Sequence, residues 1–246
     1  MSDGRHDGAA VVLALRRLHD AYRRDGEAAL AALEPAADPL DECRSLLAAT
    51  GRDDADEHTV EARELLAALE ATLVAAPHPL PDSYWVVPGR LLAGEYPGAR
   101  VPDETRCQLR RLRWCGVREF VDLTEAGEYA LAPYLPLLDG VARHRRFPVP
   151  DRDVPDEATM HAILDAVDAA LAAGATVYVH CFGGIGRTGT VIGCWLVRHG
   201  RPADEALRRI AEWRVGTPAG WCDSPETPEQ RAFVRAWRET GPAGPG

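Results

Sequence analysis

Lysine and asparagine are missing altogether from the 246 residues of this chain. Without asparagine there is no N-glycosylation sequon, and without lysine every basic contact falls to arginine or histidine. Alanine, arginine, glycine and proline are abundant instead, which reads as codon bias rather than function. Positive charge is in short supply: 38 acidic residues outweigh 28 basic ones and leave a formal net charge of -10. No basic stretch extends beyond pairs such as Arg110-Arg111 and Arg145-Arg146, so nucleic acid and acidic membrane surfaces are poor partners. Arginines between Arg106 and Arg118 alternate with Leu109 and Leu112 and are expected to form a solvated helix face. No apolar run approaches the ~18 residues of a membrane span. Residues Met1 to Gly8 lack the charged, apolar and small-residue order of a signal peptide. The expectation is a soluble, cytoplasmic protein. Six cysteines, at positions 43, 107, 115, 181, 194 and 222, form neither a CxxC nor a Cys/His metal spacing, so most are expected to be reduced packing residues.

The chain divides by pattern. Residues 1–78 are rich in Ala and Leu at helical spacing, with Val11, Val12, Leu15, Leu18 and Tyr22 on one apolar face and Leu65, Leu66, Leu69 and Leu73 on another. Pro35 and Pro39 separate helices, residues 51–57 read as a polar connector, and Pro77 to Pro81 reads as a stiff linker. His19, His58 and Cys43 have no site-like spacing and are expected at the surface or in the core. This helical segment is expected to be a packing or regulatory appendage. Residues 79–240 alternate short strands with helices, the pattern of an α/β layer structure. Strands are expected at 84–87, 91–93, 119–123, 143–149 and 176–180. Helices are expected at 104–114, 156–173, 187–199, 203–214 and 227–239. Residues 241–246, all Gly, Pro and Ala, read as a flexible tail.

The chemistry concentrates at Val177 to Gly189. An apolar strand feeds His180 and Cys181; a loop of Phe182, Gly183, Gly184, Ile185 and Gly186 follows, and Arg187 and Thr188 begin a helix. Five residues between Cys181 and Arg187 let the loop wrap its backbone N–H groups around a tetrahedral oxyanion. The helix N-terminus and the guanidinium both favour thiolate over thiol, making Cys181 a nucleophile at neutral pH. Upstream, Arg146 to Asp156 reads as a strand ending in a proline-punctuated acidic loop, with Asp156 as the N-cap of the next helix.

Residues His180, Cys181, Arg187 and Thr188 match the His-Cys-x5-Arg-Ser/Thr loop of the Cys-based protein tyrosine phosphatase superfamily, which the chain resembles. The resemblance extends through the second part: Leu92 to Pro97 and Phe120 to Glu125 look like the first core strands of a dual-specificity-type phosphatase, and Ser224 to Gln230 looks like the entry to its last helix. It implies a central, mostly parallel sheet flanked by helices, with 79–240 as the catalytic domain. In the family the general acid follows a strand-ending proline by three residues, which falls on Asp151, with Asp153 as the rival. Gln230 either approaches the hydrolytic water or faces solvent.

On this resemblance Cys181 attacks phosphorus, Arg187 clamps two oxygens, and the amides of Phe182, Gly183, Gly184, Ile185, Gly186 and Arg187 hold the remaining charge. Asp151 protonates the leaving group, His180 orients the loop and helps to hold Cys181 ionised, and the Thr188 hydroxyl donates to the thiolate. The scheme asks for no metal or cofactor. Expected substrates are phosphoproteins or small phosphomonoesters. An uncharged loop offers little to an inositol polyphosphate, and a Lys-Asn-Arg-Tyr pocket-deepening loop is ruled out without Lys or Asn, so a shallow pocket is implied. The competing readings are a catalytically silent phosphate-binding module and another thiolate enzyme on a similar loop, such as a sulfur transferase or an arsenate reductase.

Overall fold

A computed structural model describes residues 8–25, 39–49, 57–75, 78–138, 140 and 142–238. The chain separates into two compact units, residues 1–76 and 77–246. The connectors expected near Pro35 and after Gly51, and the tail from Gly241, lie outside the described residues.

The first unit is helical. Helix α1 (Gly8–Asp25), α2 (Pro39–Ala49) and α3 (Glu57–Ala75) meet along their apolar stripes. Val12, Leu15 and Leu18 of α1, Leu40 and Cys43 of α2, and Leu66 and Leu69 of α3 are buried. Leu65 is only half-buried, and the side chains of Val11, Tyr22 and Leu73 lie outside the described set. Cys43 donates to Ala62 O at 3.7 Å, and burial pushes its thiol up to about 11, so it is an inert core residue. His58 is exposed and His19 half-buried. No described helix is long and apolar enough to cross a membrane.

The second unit is built on a five-stranded sheet of β1 (Ser83–Val87), β2 (Leu91–Gly94), β3 (Val117–Asp122), β4 (Arg143–Arg146) and β5 (Thr176–His180), in the order β1-β2-β5-β3-β4. Only the β1–β2 pair is antiparallel; β5 lies between β2 and β3, parallel to both. Both faces of β5 are covered, which explains why it reads as a continuous apolar run. Period-two alternation sends Val177 and Val179 to one side, where they join a core with α5 (Glu157–Ala172) and α6 (Gly186–Arg198). Tyr178 meets Phe120 across the sheet at 6.0 Å. Helices α4 (Pro102–Trp114), α7 (Ala203–Trp213) and α8 (Pro228–Ala236) complete the unit.

Several local expectations need correction. The strand expected at 143–149 ends at Arg146, because Pro148 has no N–H to continue a ladder; Phe147 N and Val149 N still bond to Asp122 O and Leu123 O at 2.8 and 3.1 Å. The last helix ends at Ala236 rather than 239, since Trp237 turns to ψ 130 and buries itself. The proline-rich stretch at 78–81 is docked onto its own unit: Leu80 is buried, and His78 bonds to Ser83 O at 2.6 Å and Val215 O at 3.2 Å. The arginine face of α4 is not wholly solvated, because Arg110 is buried with its guanidinium 6.0 Å from the Trp114 ring centre.

Candidate active site

Strand register puts Gly94, Asp122 and His180 in one row at the carboxyl ends of β2, β3 and β5, the edge where open parallel sheets bind ligands. Beyond that row residues 181–185 loop into α6. The loop carbonyls are held from outside: Leu123 N donates to His180 O at 2.9 Å and Tyr96 N to Phe182 O at 2.8 Å. His180 Nδ1 donates to Cys181 O at 3.2 Å, and Ser224 Oγ to Ile185 O at 2.7 Å. The N–H groups of Phe182 to Arg187 have no protein acceptor among the described residues. With the carbonyls turned outward, these amides are left to the cleft, and unpaired amides at a helix N-terminus form an anion site. Gly184 sits at φ +69, and a Cβ there would lie 2.5 Å from the Gly94 carbonyl carbon, so glycine is required twice over.

Arg187 is 2% exposed, and its five donors can be accounted for. Nη1 donates to Glu128 Oε2 at 2.7 Å and Val149 O at 2.9 Å, with Leu123 O more distant at 3.4 Å. Nη2 donates to Glu128 Oε1 at 2.6 Å and Asp151 Oδ1 at 2.9 Å. Nε, buried, has no partner among the described residues. Burial works against the charge, but Glu128, Cys181 and Asp151 outweigh it and push the guanidinium above its ordinary value. Glu128 therefore holds the Nη1/Nη2 end in a fork, and the Nε/Nη2 side, where Asp151 now bonds to Nη2, is the edge that a bidentate ligand would take by displacing that carboxyl.

A cleft of about 250 Å³ is lined by Cys181, Arg187, Asp151, Tyr129 and Phe182 among others. Cys181 is itself 3% exposed and forms part of the cleft wall. Of the two candidate acids, Asp151 lies in the cleft, on Arg187. Asp153 instead caps its own turn, accepting from Val154 N at 2.8 Å. Asp156 accepts from Thr159 N at 2.7 Å as the N-cap of α5.

Three expected roles change. Buried His180 is pushed down to about 4, chiefly by desolvation, so it is neutral near pH 7 and carries no charge to hold a thiolate. It fixes the loop by geometry, accepting from Tyr134 Oη at 2.6 Å while Nδ1 binds the Cys181 carbonyl. The Thr188 hydroxyl donates to Gly94 O at 3.3 Å rather than to Cys181. Gln230 does not face solvent. It is fully buried, completes a capping box with Thr227, and donates from Nε2 to Asp153 O at 3.0 Å, tying the acid loop to α8.

The residues that sequence reasoning missed are Glu128, Tyr129, Asp122 and Tyr134. Buried Asp122 gathers His144 at 3.0 Å, Arg146 at 2.8 Å and Thr124 at 2.6 Å beneath the loop. Burial alone would raise its carboxyl, but these bonds win and hold it well below the usual range. The signal available for Asp122 was a carboxylate ending an apolar strand. For Glu128 and Tyr129, in an irregular turn, there was none.

Comparison with known proteins points the same way. Residues 97–201 match a family model described as a polymorphic toxin system DSP-PTPase phosphatase. The chain is 28% identical over 185 residues to Arabidopsis thaliana PTEN1, named a phosphatidylinositol 3,4,5-trisphosphate 3-phosphatase and protein-tyrosine-phosphatase. That match covers 72% of this chain but only 42% of the relative. Over 72 residues it is 38% identical to the mouse dual specificity protein phosphatase CDC14B, covering 29% of this chain and 14% of that protein. A crystal structure of Tk-PTP in a mutant form superimposes with a TM-score of 0.50 at 26% identity, covering 63% of this chain and 93% of the other.

Proposed function

We propose that this chain, which is similar to Cys-based, dual-specificity-type phosphatases, hydrolyses phosphomonoesters on tyrosine, serine or threonine of proteins through a cysteinyl-phosphate intermediate. The observation that carries this reading is that Arg187, its Nη1/Nη2 end fixed by Glu128 and its Nε without a partner among the described residues, lines one cleft with Cys181 and Asp151. Phosphoryl transfer is mainly positioning and charge stabilisation. The Nε/Nη2 side of Arg187, once Asp151 Oδ1 is displaced from it, and the loop amides supply donors for the equatorial oxygens, and the Cys181 sulfur attacks phosphorus in line. As the P–O bond to the leaving group breaks, Asp151 gives that oxygen a proton. The resulting carboxylate then takes a proton from the water that attacks phosphorus and expels the Cys181 thiolate.

Residues 182–186 carry no charge, which supports a monoester rather than a polyanionic head group. A silent phosphate-binding module is not favoured, because candidate nucleophile, clamp and acid share one cleft. A thiolate nucleophile is oxidised readily, so we assign the protein to a reducing compartment such as the cytoplasm.

The test is a panel of phosphotyrosyl, phosphoseryl and phosphothreonyl peptides with a soluble inositol polyphosphate, assayed with wild type and Cys181→Ser. Wild type should hydrolyse the peptides, and Cys181→Ser should abolish turnover while keeping tungstate affinity, since a serine hydroxyl is scarcely ionised at neutral pH. Turnover in Cys181→Ser within about tenfold of wild type would sink the thiolate mechanism.

A further inference from the structure

The Asp151 carboxyl is shared. Its Oδ1 rests on Arg187 Nη2 at 2.9 Å, and its Oδ2 accepts the Tyr129 hydroxyl at 2.5 Å. A substrate oxyanion that takes the Nε/Nη2 edge of Arg187 must displace Oδ1. Glu128 occupies the other edge, so Arg187 has no second fork to offer.

We propose that Tyr129 is the positioning residue of the general acid, keeping the Asp151 carboxyl at the mouth of the cleft once substrate has taken Arg187 from it. The inference rests on the phosphatase reading above. Two features of the structure favour a built contact over a chance surface bond. First, Tyr129 follows Glu128 directly, so one turn grips both Arg187 and Asp151. That turn holds Gly127, Tyr129 and Ala130 at φ +78, +49 and +53; such conformations outside glycine persist only where the surroundings over-determine them. Second, although Tyr129 is 61% exposed, its ring lies against Phe182 of the loop, centroids 4.9 Å apart, which aims the hydroxyl. The carboxylate acceptor also pushes the phenol above its ordinary value, so it remains a donor.

This contact distinguishes the two oxygens of the acid. With Tyr129 donating to Oδ2 throughout, the transferable proton sits on Oδ1, the oxygen released from Arg187. Oδ1–H protonates the leaving oxygen as the P–O bond breaks, and the same Oδ1 then accepts the proton of the attacking water.

The experiment compares full-length wild type, Tyr129→Phe, Asp151→Asn and the double variant on phenyl phosphate, a poor leaving group, and p-nitrophenyl phosphate, an activated one. Tyr129→Phe keeps the ring and should keep the melting temperature. It should lower kcat/KM on phenyl phosphate, which covers the steps up to the cysteinyl-phosphate, by on the order of tenfold or more, within the usual contribution of a general acid. It should change kcat/KM on p-nitrophenyl phosphate little, because nitrophenolate leaves without a proton. The double variant should be no slower than Asp151→Asn, because the hydroxyl acts only through that carboxyl. An unchanged kcat/KM on phenyl phosphate, an equal loss of kcat/KM on both substrates, or losses that multiply in the double variant would each overturn the proposal while the phosphatase reading stands. A wild type without Cys181-dependent turnover of either ester would end both.

Discussion

Two aspartates separated by one residue differ in everything that bears on proton transfer. Asp151 lies on Arg187 Nη2 in the cleft wall, with its side chain 32% exposed. Asp153 is turned onto its own backbone, and its carbonyl is held by Gln230. Asp151→Asn should therefore slow esters with poor leaving groups by on the order of 10²-fold or more, the usual contribution of a general acid. In kcat/KM, which stops at the cysteinyl-phosphate, activated aryl esters should be far less affected, and Asp153→Asn should be nearly neutral on both. Steady-state kinetics across a leaving-group series checks this, and a leaving-group-dependent loss confined to Asp153→Asn would move the acid by two residues.

The strand-loop-helix element works because its two kinds of backbone group are sorted. Outer partners just beyond β2 and β3 and in the segment before α8 take the carbonyls, and the amides are left for an anion. Gly184 is the hinge of that sorting, at positive φ against the Gly94 backbone. Gly184→Ala should cost about 1–3 kcal/mol from the backbone strain alone, with the Gly94 contact adding to it. It should weaken tungstate binding as the loop shifts, read by calorimetry beside a thermal melt. Unchanged affinity would mean that the loop tolerates displacement and that the amides contribute little. The turn at 127–130 is the complementary element, since through Glu128 and Tyr129 it fixes both the clamp and the acid from outside the motif.

Across the whole molecule, all six tryptophans lie in residues 77–246, so tryptophan fluorescence follows unfolding of that unit alone. Its buried polar layer predicts acid sensitivity. His180 is desolvated and packed among Asp122, Tyr134 and the Cys181 carbonyl, with His144 and Arg146 on the far side of Asp122. Its folded value of about 4 lies below an unfolded value of ~6.5. The stability it gives is complete above the unfolded value and is lost as pH falls from about 6.5 to about 4, a change of about 3 kcal/mol. Asp122, depressed by its bonds to His144 and Thr124, adds a loss at still lower pH. Urea midpoints should thus fall from pH 7 to pH 5, and His180→Asn should flatten that slope. An equal slope in the variant would mean that His180 titrates freely in the folded state.

Local chemistry was legible where it depends on residues close in sequence. The Cys181-to-Arg187 loop, the alternation of strands and helices, and the Asp156 cap follow from spacing, glycine placement and apolar periodicity, and these operate within a few residues. What decides whether a side chain is neutral, buried or aimed depends on groups far along the chain, and only the tertiary structure supplied it. Gln230 reads as a polar residue on a helix and faces inward because α8 packs against Gly186, where a Cβ would meet its amide oxygen at 2.9 Å. His180 reads as a charge partner for Cys181 and is neutral because the sheet and Tyr134 exclude water from it. Glu128 lies 59 residues from Arg187 in the sequence, and no local pattern can announce a fork closed across that distance. The sequence determined which anion-binding loop this chain carries; folding determined which edge of its arginine is left open, and which carboxyl waits there.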